Sequence, residues 1–222
     1  MHRVNSNPNF QRLQTLIANS IAISPLDKDE IYKNIIRDLQ SHFFPIAPSD
    51  KATLRELLAG HIEVDVECAD WKEAVRRSAQ PLLEQDYLSE QYITQMIRNI
   101  ETMGPYIVLA QGFALPHESP DVGGRKLGMQ LIRLKHPVPF HSQFYDPVDF
   151  VCCLSTIDKD SHLKAMFHLM NLLSKADFCE NIRKAKTAEE VYQIVYEYES
   201  IYKQLFAGYC RNVLPCVKGL MK

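Results

Sequence analysis

Gly104-Pro105-Tyr106-Ile107-Val108-Leu109-Ala110-Gln111-Gly112-Phe113-Ala114-Leu115-Pro116-His117-Glu118 is the stretch on which the reading of this 222-residue chain turns. Tyr106 to Ala110 is an apolar run that reads as a strand. It delivers a histidine at its mouth. Pro116 has a fixed φ and sets the backbone immediately before that histidine. A second histidine, His162, opens an apolar helix after another strand, in Asp158-Lys159-Asp160-Ser161-His162-Leu163.

Working outward, further strands are expected at 127–134 and 147–155, with Pro137, Pro139 and Pro147 in the connection between them. From Ser161 the pattern is helical over 161–174, 176–185 and 188–205. Upstream, a short helix is expected around Leu54 to Leu58. His61 to Glu67 then alternates Ile62, Val64 and Val66 with Glu63, Asp65 and Glu67, as a strand does. Asp70 caps a helix carrying Trp71, Ala74, Val75 and Ala79. Ser89 caps the next, with Ile93, Met96, Ile97 and Ile100 on one face. Strands mixed with long helices point to an α/β sandwich. Residues 9–44 keep helical spacing in two runs, and Pro45, Pro48, Ser49 and Asp50 then break the pattern. The expected organisation is a helical N-terminal segment or linker (1–50), an α/β domain (51–205) and a C-terminal tail (206–222). The two helical faces of the first segment are too few for a core of their own. They must pack on the second domain, on another copy of the chain as in a homodimer, or on a partner domain.

Composition narrows the function classes. The formal net charge is −2, so no broad basic surface exists and direct nucleic-acid binding is not expected. No apolar run approaches the roughly 20 residues that span a bilayer. The first residues carry no apolar signal region, so a cytoplasmic protein without membrane insertion is expected. The six cysteines are scattered with no Cys-x-x-Cys pair. Cys152 and Cys153 lie within an apolar strand and read as buried thiols in a reducing compartment.

A neutral imidazole has one basic nitrogen, which can attack phosphorus near neutral pH. The other must keep the proton, so the fold must fix the tautomer, through a backbone carbonyl for example. Phosphoryl transfer also needs in-line positioning and stabilisation of spread negative charge. A second imidazole at a helix start, together with backbone N–H groups, suits that task. The chain has no Gly-x-x-x-x-Gly-Lys loop, so a phosphoprotein is the expected donor. A metal site of His117, His162 and Asp158 is the rival, but no close His-x-x-x-His ligand pair supports it. His168 reads as structural, His136 and His141 as exposed, Glu118 as a solvated loop carboxylate, and Arg76-Arg77 as a solvated helix face.

Residues 54–203 resemble the enzyme IIA domains of the bacterial sugar phosphotransferase system, in the mannitol–fructose superfamily. The likeness is to the ascorbate branch and to the similar domains that end antiterminator regulators. It rests on Asp70-Trp71-Lys72-Glu73-Ala74-Val75, Gly104-Pro105-Tyr106-Ile107-Val108, Ala114-Leu115-Pro116-His117, Pro137-Val138-Pro139-Phe140, Asp146-Pro147-Val148, and Asp158 with His162. The resemblance implies a mixed β-sheet flanked by helices on both sides. It implies that His117 accepts a phosphoryl group from the phosphocarrier protein (HPr-like) and passes it to a cysteine of an enzyme IIB partner. It implies that His162 is the supporting site histidine and that no cofactor is needed. Mannitol-type domains place an arginine sixteen residues before the active histidine, whereas this chain has Glu101. The group that neutralises the phosphate is then open, with Arg98 and Arg125 as candidates. The alternative role is regulatory: a C-terminal enzyme IIA-like domain of a transcriptional antiterminator, phosphorylated as a signal of sugar supply.

Overall fold

Short polar residues start the helices where the sequence places them. The structure, a computed structural model, describes residues 53–200 except Ala176; the expected segment 1–50 and tail 206–222 lie outside the described residues. Thr53 caps α1 (Leu54–Leu57), accepting from the Glu56 N–H while the Glu56 carboxylate accepts from the Thr53 N–H. Asp70 caps α2 (Trp71–Glu84) and Ser89 caps α3 (Glu90–Met103), each side chain accepting an N–H three residues on. Asp158 does the same for α4 (Lys159–Leu173) through the Ser161 N–H. Two more helices follow, α5 (Phe178–Lys184) and α6, which runs from 188 to the last described residue.

Five strands form one sheet: β1 (Ile62–Val66), β2 (Val108–Ala110), β3 (Phe113–Ala114), β4 (Gly128–Val138) and β5 (Val148–Ser155), in the order β1-β4-β5-β3-β2. β1 runs parallel to β4, and β3 parallel to β5. The pairs β4–β5 and β2–β3 are antiparallel, so the sheet is mixed. Every residue of β5 is buried, as a central strand covered on both faces requires. One apolar cluster joins α2 and α3 to one face through Val75, Leu82, Met96, Ile132 and Val151. The other joins α1, α4, α5 and α6 to the opposite face through Leu54, Leu131, Cys152, Leu169, Ile182 and Val195. Cys152 and Cys153 fall into opposite clusters because neighbouring strand residues face opposite ways.

The helices expected over 161–174 and 176–185 are α4, which begins earlier at Lys159, and the shorter α5, and two strand boundaries also differ from the sequence reading. Pro137 lies inside β4 instead of in the connection after it. A proline cannot donate to a ladder, but here nothing asks it to. β1 pairs with β4 only as far as Leu134, and the β4–β5 register shifts between Arg133 and Val138. The expected strand at 106–110 is shortened to β2, because Tyr106 is held in a turn by the Gly104 carbonyl. The chain then reverses at Gly112, with φ of 75°, and returns as β3.

Two polar clusters fasten the edges. At the beginning of β5, Asp149 pairs with Arg183 of α5. Beside it Arg133 of β4 pairs with Asp65 at 2.8 Å and donates to the Ala185 carbonyl. Elsewhere, buried Glu199 of α6 accepts from the N–H groups of Leu54 (2.8 Å) and Arg55 (3.3 Å), the orphan donors that begin α1.

Candidate functional site

β3 ends at Ala114, and the next three residues continue alongside the finish of β5. The Leu154 N–H donates to the Pro116 carbonyl at 3.0 Å, and His117 stands opposite Leu154 in a parallel bridge. The His117 ring turns back on its own segment, placing Nδ1 2.8 Å from the Leu115 carbonyl oxygen. A carbonyl can only accept, so Nδ1 carries the proton and Nε2 holds the free lone pair. The tautomer that the sequence required is therefore fixed by backbone two residues away.

His162 arrives at the same end of β5. β5 finishes at Ser155, Thr156 follows, and Asp158 caps α4 so that His162 falls in the first turn, its N–H bonded to the Asp158 carbonyl. The two imidazole centroids are 5.0 Å apart with planes inclined by 56°. Thr156 Oγ1 lies 3.5 Å from His162 Nδ1. Burial, and secondly the neighbouring His117, pull the His162 pKa down to about 4. His162 is thus a neutral imidazole at pH 7, with one N–H to donate.

A ring of polar contacts surrounds the pair. Tyr106 meets His117 edge-on, centroids 6.3 Å apart. Its hydroxyl bonds to the Asn99 side chain, and burial raises its pKa, helped by the charge of Glu118. The Asn99 amide also donates to the Glu118 carboxylate and accepts from Gln95 Nε2 at 2.7 Å. Glu118 was expected to be a solvated loop carboxylate. It is half-buried instead, because Asn99 and the Ser119 N–H hold it. The buried Tyr92 hydroxyl reaches the same segment, within 2.9 Å of the Glu118 nitrogen, 2.8 Å of its carbonyl and 3.0 Å of the Leu154 carbonyl. Tyr92, Asn99 and Thr156 were not singled out from the sequence. Tyr92 carried the one available signal, since a hydroxyl on the buried face of a helix must find a partner.

The remaining candidates lie apart from the pair. Arg125 is paired with exposed Asp86, and Arg98 sits exposed on α3, bonded to neither imidazole. Glu101, where mannitol-type domains have arginine, pairs with Lys72 on the exposed surface. Asp158 is the cap of α4, and among the described residues no three His, Cys, Asp or Glu side chains converge on a metal position. His136 and His141 are exposed. Arg76 and Arg77 keep loose surface pairings with Glu90 and Glu63 at 3.6 Å. Burial pushes the Cys152 thiol up to about 12 and Cys153 well above its usual value, so neither is a thiolate nucleophile. Among the described residues no helix is long and apolar enough to cross a membrane.

Comparison with known proteins gives one consistent answer. Residues 57–198 match the family model described as phosphoenolpyruvate-dependent sugar phosphotransferase system, EIIA 2. The chain is 31% identical over 145 residues to the ascorbate-specific PTS system EIIA component of Salmonella choleraesuis, covering 64% of this chain and 94% of that protein. Among solved structures it resembles the mannitol-specific cryptic phosphotransferase enzyme IIA CmtB of Escherichia coli. That match has 32% identity and a TM-score of 0.57, over 63% of this chain and 97% of the other. The fold is also that of the enzyme IIA partner in the complex of enzyme IIAMTL and phosphorylated enzyme IIBMTL from Escherichia coli. There the TM-score is 0.56 and the identity 20%, over 63% of this chain and 96% of the other.

Proposed function

Because this chain belongs to the EIIA 2 family of the phosphoenolpyruvate-dependent sugar phosphotransferase system, we propose that it carries a phosphoryl group on Nε2 of His117. The observation that supports this most directly is the 2.8 Å contact between His117 Nδ1 and the Leu115 carbonyl. It leaves Nε2 as the lone-pair nitrogen in the ground state, so no proton has to move before attack. The donor is a phosphohistidine of the phosphocarrier protein. The Nε2 lone pair forms the new N–P bond as the donor's N–P bond breaks, and the donor imidazole leaves with the electron pair. His162 donates its one N–H to an equatorial phosphoryl oxygen, the Thr156 hydroxyl donating to its Nδ1 from 3.5 Å away. In the second step the thiolate of an enzyme IIB cysteine attacks phosphorus, and His117 Nε2 recovers its lone pair. The partner's class is supported by the solved complex of a protein of this fold with a phosphorylated enzyme IIB.

Incubation with phosphoenolpyruvate, enzyme I and the phosphocarrier protein should label one histidine of this chain. The nitrogen-15 shifts of that ring should report phosphorus on Nε2, with Nδ1 still protonated. Chase of the label onto an enzyme IIB cysteine distinguishes a carrier from a regulatory end-point, where the label stays. Labelling by ATP alone, or phosphorus on Nδ1, would refute the reading.

A further inference from the structure

The pairing beside His117 contains an irregularity with a chemical identity. In a parallel bridge, the residue opposite Leu154 is flanked by two ladder bonds. One is made directly, from the Leu154 N–H to the Pro116 carbonyl at 3.0 Å. The other should run from the Glu118 N–H to the Leu154 carbonyl. It is replaced by a relay: the Glu118 N–H donates to the Tyr92 hydroxyl at 2.9 Å, and that hydroxyl stands 3.0 Å from the Leu154 carbonyl. A phenol oxygen from α3 has taken the place of a ladder bond at the residue after His117. The strands are held one oxygen apart there, where the His117 ring turns toward Leu115 and His162.

Tyr92 is suited to this. It is fully buried, its ring belongs to the α2–α3 core, and its hydroxyl proton is shared between the Leu154 and Glu118 carbonyls. Burial drives the phenol pKa well up, so the group stays protonated and keeps donating throughout the working pH range. The Leu154 carbonyl lies two residues before Thr156, the hydroxyl beside His162 Nδ1. One oxygen atom therefore ties together the backbone segments that present both histidines.

We propose that the Tyr92 hydroxyl is a positioning group for phosphoryl transfer, inserted into the strand ladder to set the separation and orientation of His117 and His162. This rests on the phosphocarrier reading. Without that oxygen, the Glu118 N–H and the Leu154 carbonyl are free to close into a direct ladder bond, which drags His117 out of register with His162. Positioning errors of an ångström or less suffice to slow transfer severely.

The test is Tyr92→Phe, which keeps the ring and deletes only the oxygen. The expected result is a folded protein whose phosphorylation rate at saturating phosphocarrier protein falls by about tenfold or more, with KM for that donor unchanged. A second readout needs no phosphoryl transfer: nitrogen-15 titration of both imidazoles. If the pair has separated, His162 should titrate nearer the ordinary histidine value in the variant than in the wild type. Wild-type kcat together with wild-type imidazole titrations in folded Tyr92→Phe would overturn the proposal. If the variant does not fold, the wild-type protein decides. A slowly exchanging Tyr92 hydroxyl proton with a cross-peak to the Glu118 amide supports the inserted oxygen, and a freely exchanging one refutes it. If wild-type protein is not phosphorylated at all, the phosphocarrier reading fails, while the titration and exchange readouts still judge the geometry.

Discussion

The two ends of β5 handle charge in opposite ways. At its beginning, Asp149 and Arg183, with Arg133 and Asp65, form ion pairs anchored further to the Ala185 carbonyl. At its finish, His117 and His162 are held by a backbone carbonyl, hydroxyl groups and aromatic edges. Among the described residues neither histidine is ion-paired. On the proposed function, the difference separates holding a shape from receiving a ligand. The charges at the first end meet each other in the resting protein, so they brace the sheet. The second end sets no cation against either imidazole, so on the proposed function the charge that enters it comes with the phosphoryl group and meets polar groups already oriented. A permanent cation bonded to His117 would compete for the orientation that the Leu115 carbonyl enforces.

The comparison can be broken most decisively at His117. His117→Ala should abolish labelling from the phosphoenolpyruvate-driven cascade while leaving the folded content measured by circular dichroism unchanged. Stoichiometric label on the variant would remove the site from this end of the strand. Next in size is His162→Ala, expected to slow one or both half-reactions by about a hundredfold, as loss of one oriented donor does. Rapid-quench measurement of each half-reaction checks this, and wild-type rates in both would make His162 a structural residue.

At the charged end the same kind of substitution should act on stability alone. Arg133→Ala leaves Asp65 and the Ala185 carbonyl without their shared donor, at a cost of about 1 kcal/mol, since the Asp65 carboxylate is exposed to water. Urea titration should show the loss, and the rate of His117 phosphorylation per folded molecule should not change. A fall in that rate would mean the two ends are coupled through β5.

The smallest effect is a pH dependence confined to the histidine end. His162 binds its proton more weakly in the fold, about 4, than its ordinary value of 6.5. Between those values the unfolded chain holds more protons than the folded one. The contribution to stability is therefore complete above 6.5 and is lost as pH falls toward 4. Denaturation at pH 7 and pH 5 should show a smaller loss for His162→Gln than for wild type. Phosphorylation of His117 should reverse the shift, since a neighbouring dianion favours the imidazolium. Titration of the phosphorylated protein should show the His162 pKa raised relative to the unphosphorylated one.

The sequence carried much of this because its decisive signals are local. Caps at Asp70 and Ser89 and the alternation of Ile62, Val64 and Val66 act within a few residues, and the helices and strands form accordingly. The mixed sheet, the family and the nearness of His117 to His162 were likewise expected from the residues and their resemblance. Other features depend on partners distant in sequence. Pro137 fits inside β4 only because β1 has already ended opposite Leu134. Glu118 is held by Asn99, nineteen residues earlier, and Tyr92 meets Leu154 sixty-two residues later. A helix pattern marks Tyr92 as buried, but nothing in it says that the hydroxyl will stand in for a ladder bond. The backbone carbonyl of Leu115 is common to every residue type, so sequence alone could not assign it a task.

Through Glu199, the helix closing the described residues is fastened to the backbone N–H groups of Leu54 and Arg55, which open them. The polypeptide thus enters and leaves through one doorway. A linker of a few residues could join Thr53 to Ser200 into a circle, and new ends could be cut in the exposed turn near Phe144 without parting any strand of the sheet. A unit with this property is portable. It can be spliced between other domains, or into a surface loop of one, while the geometry around His117 travels with it unchanged.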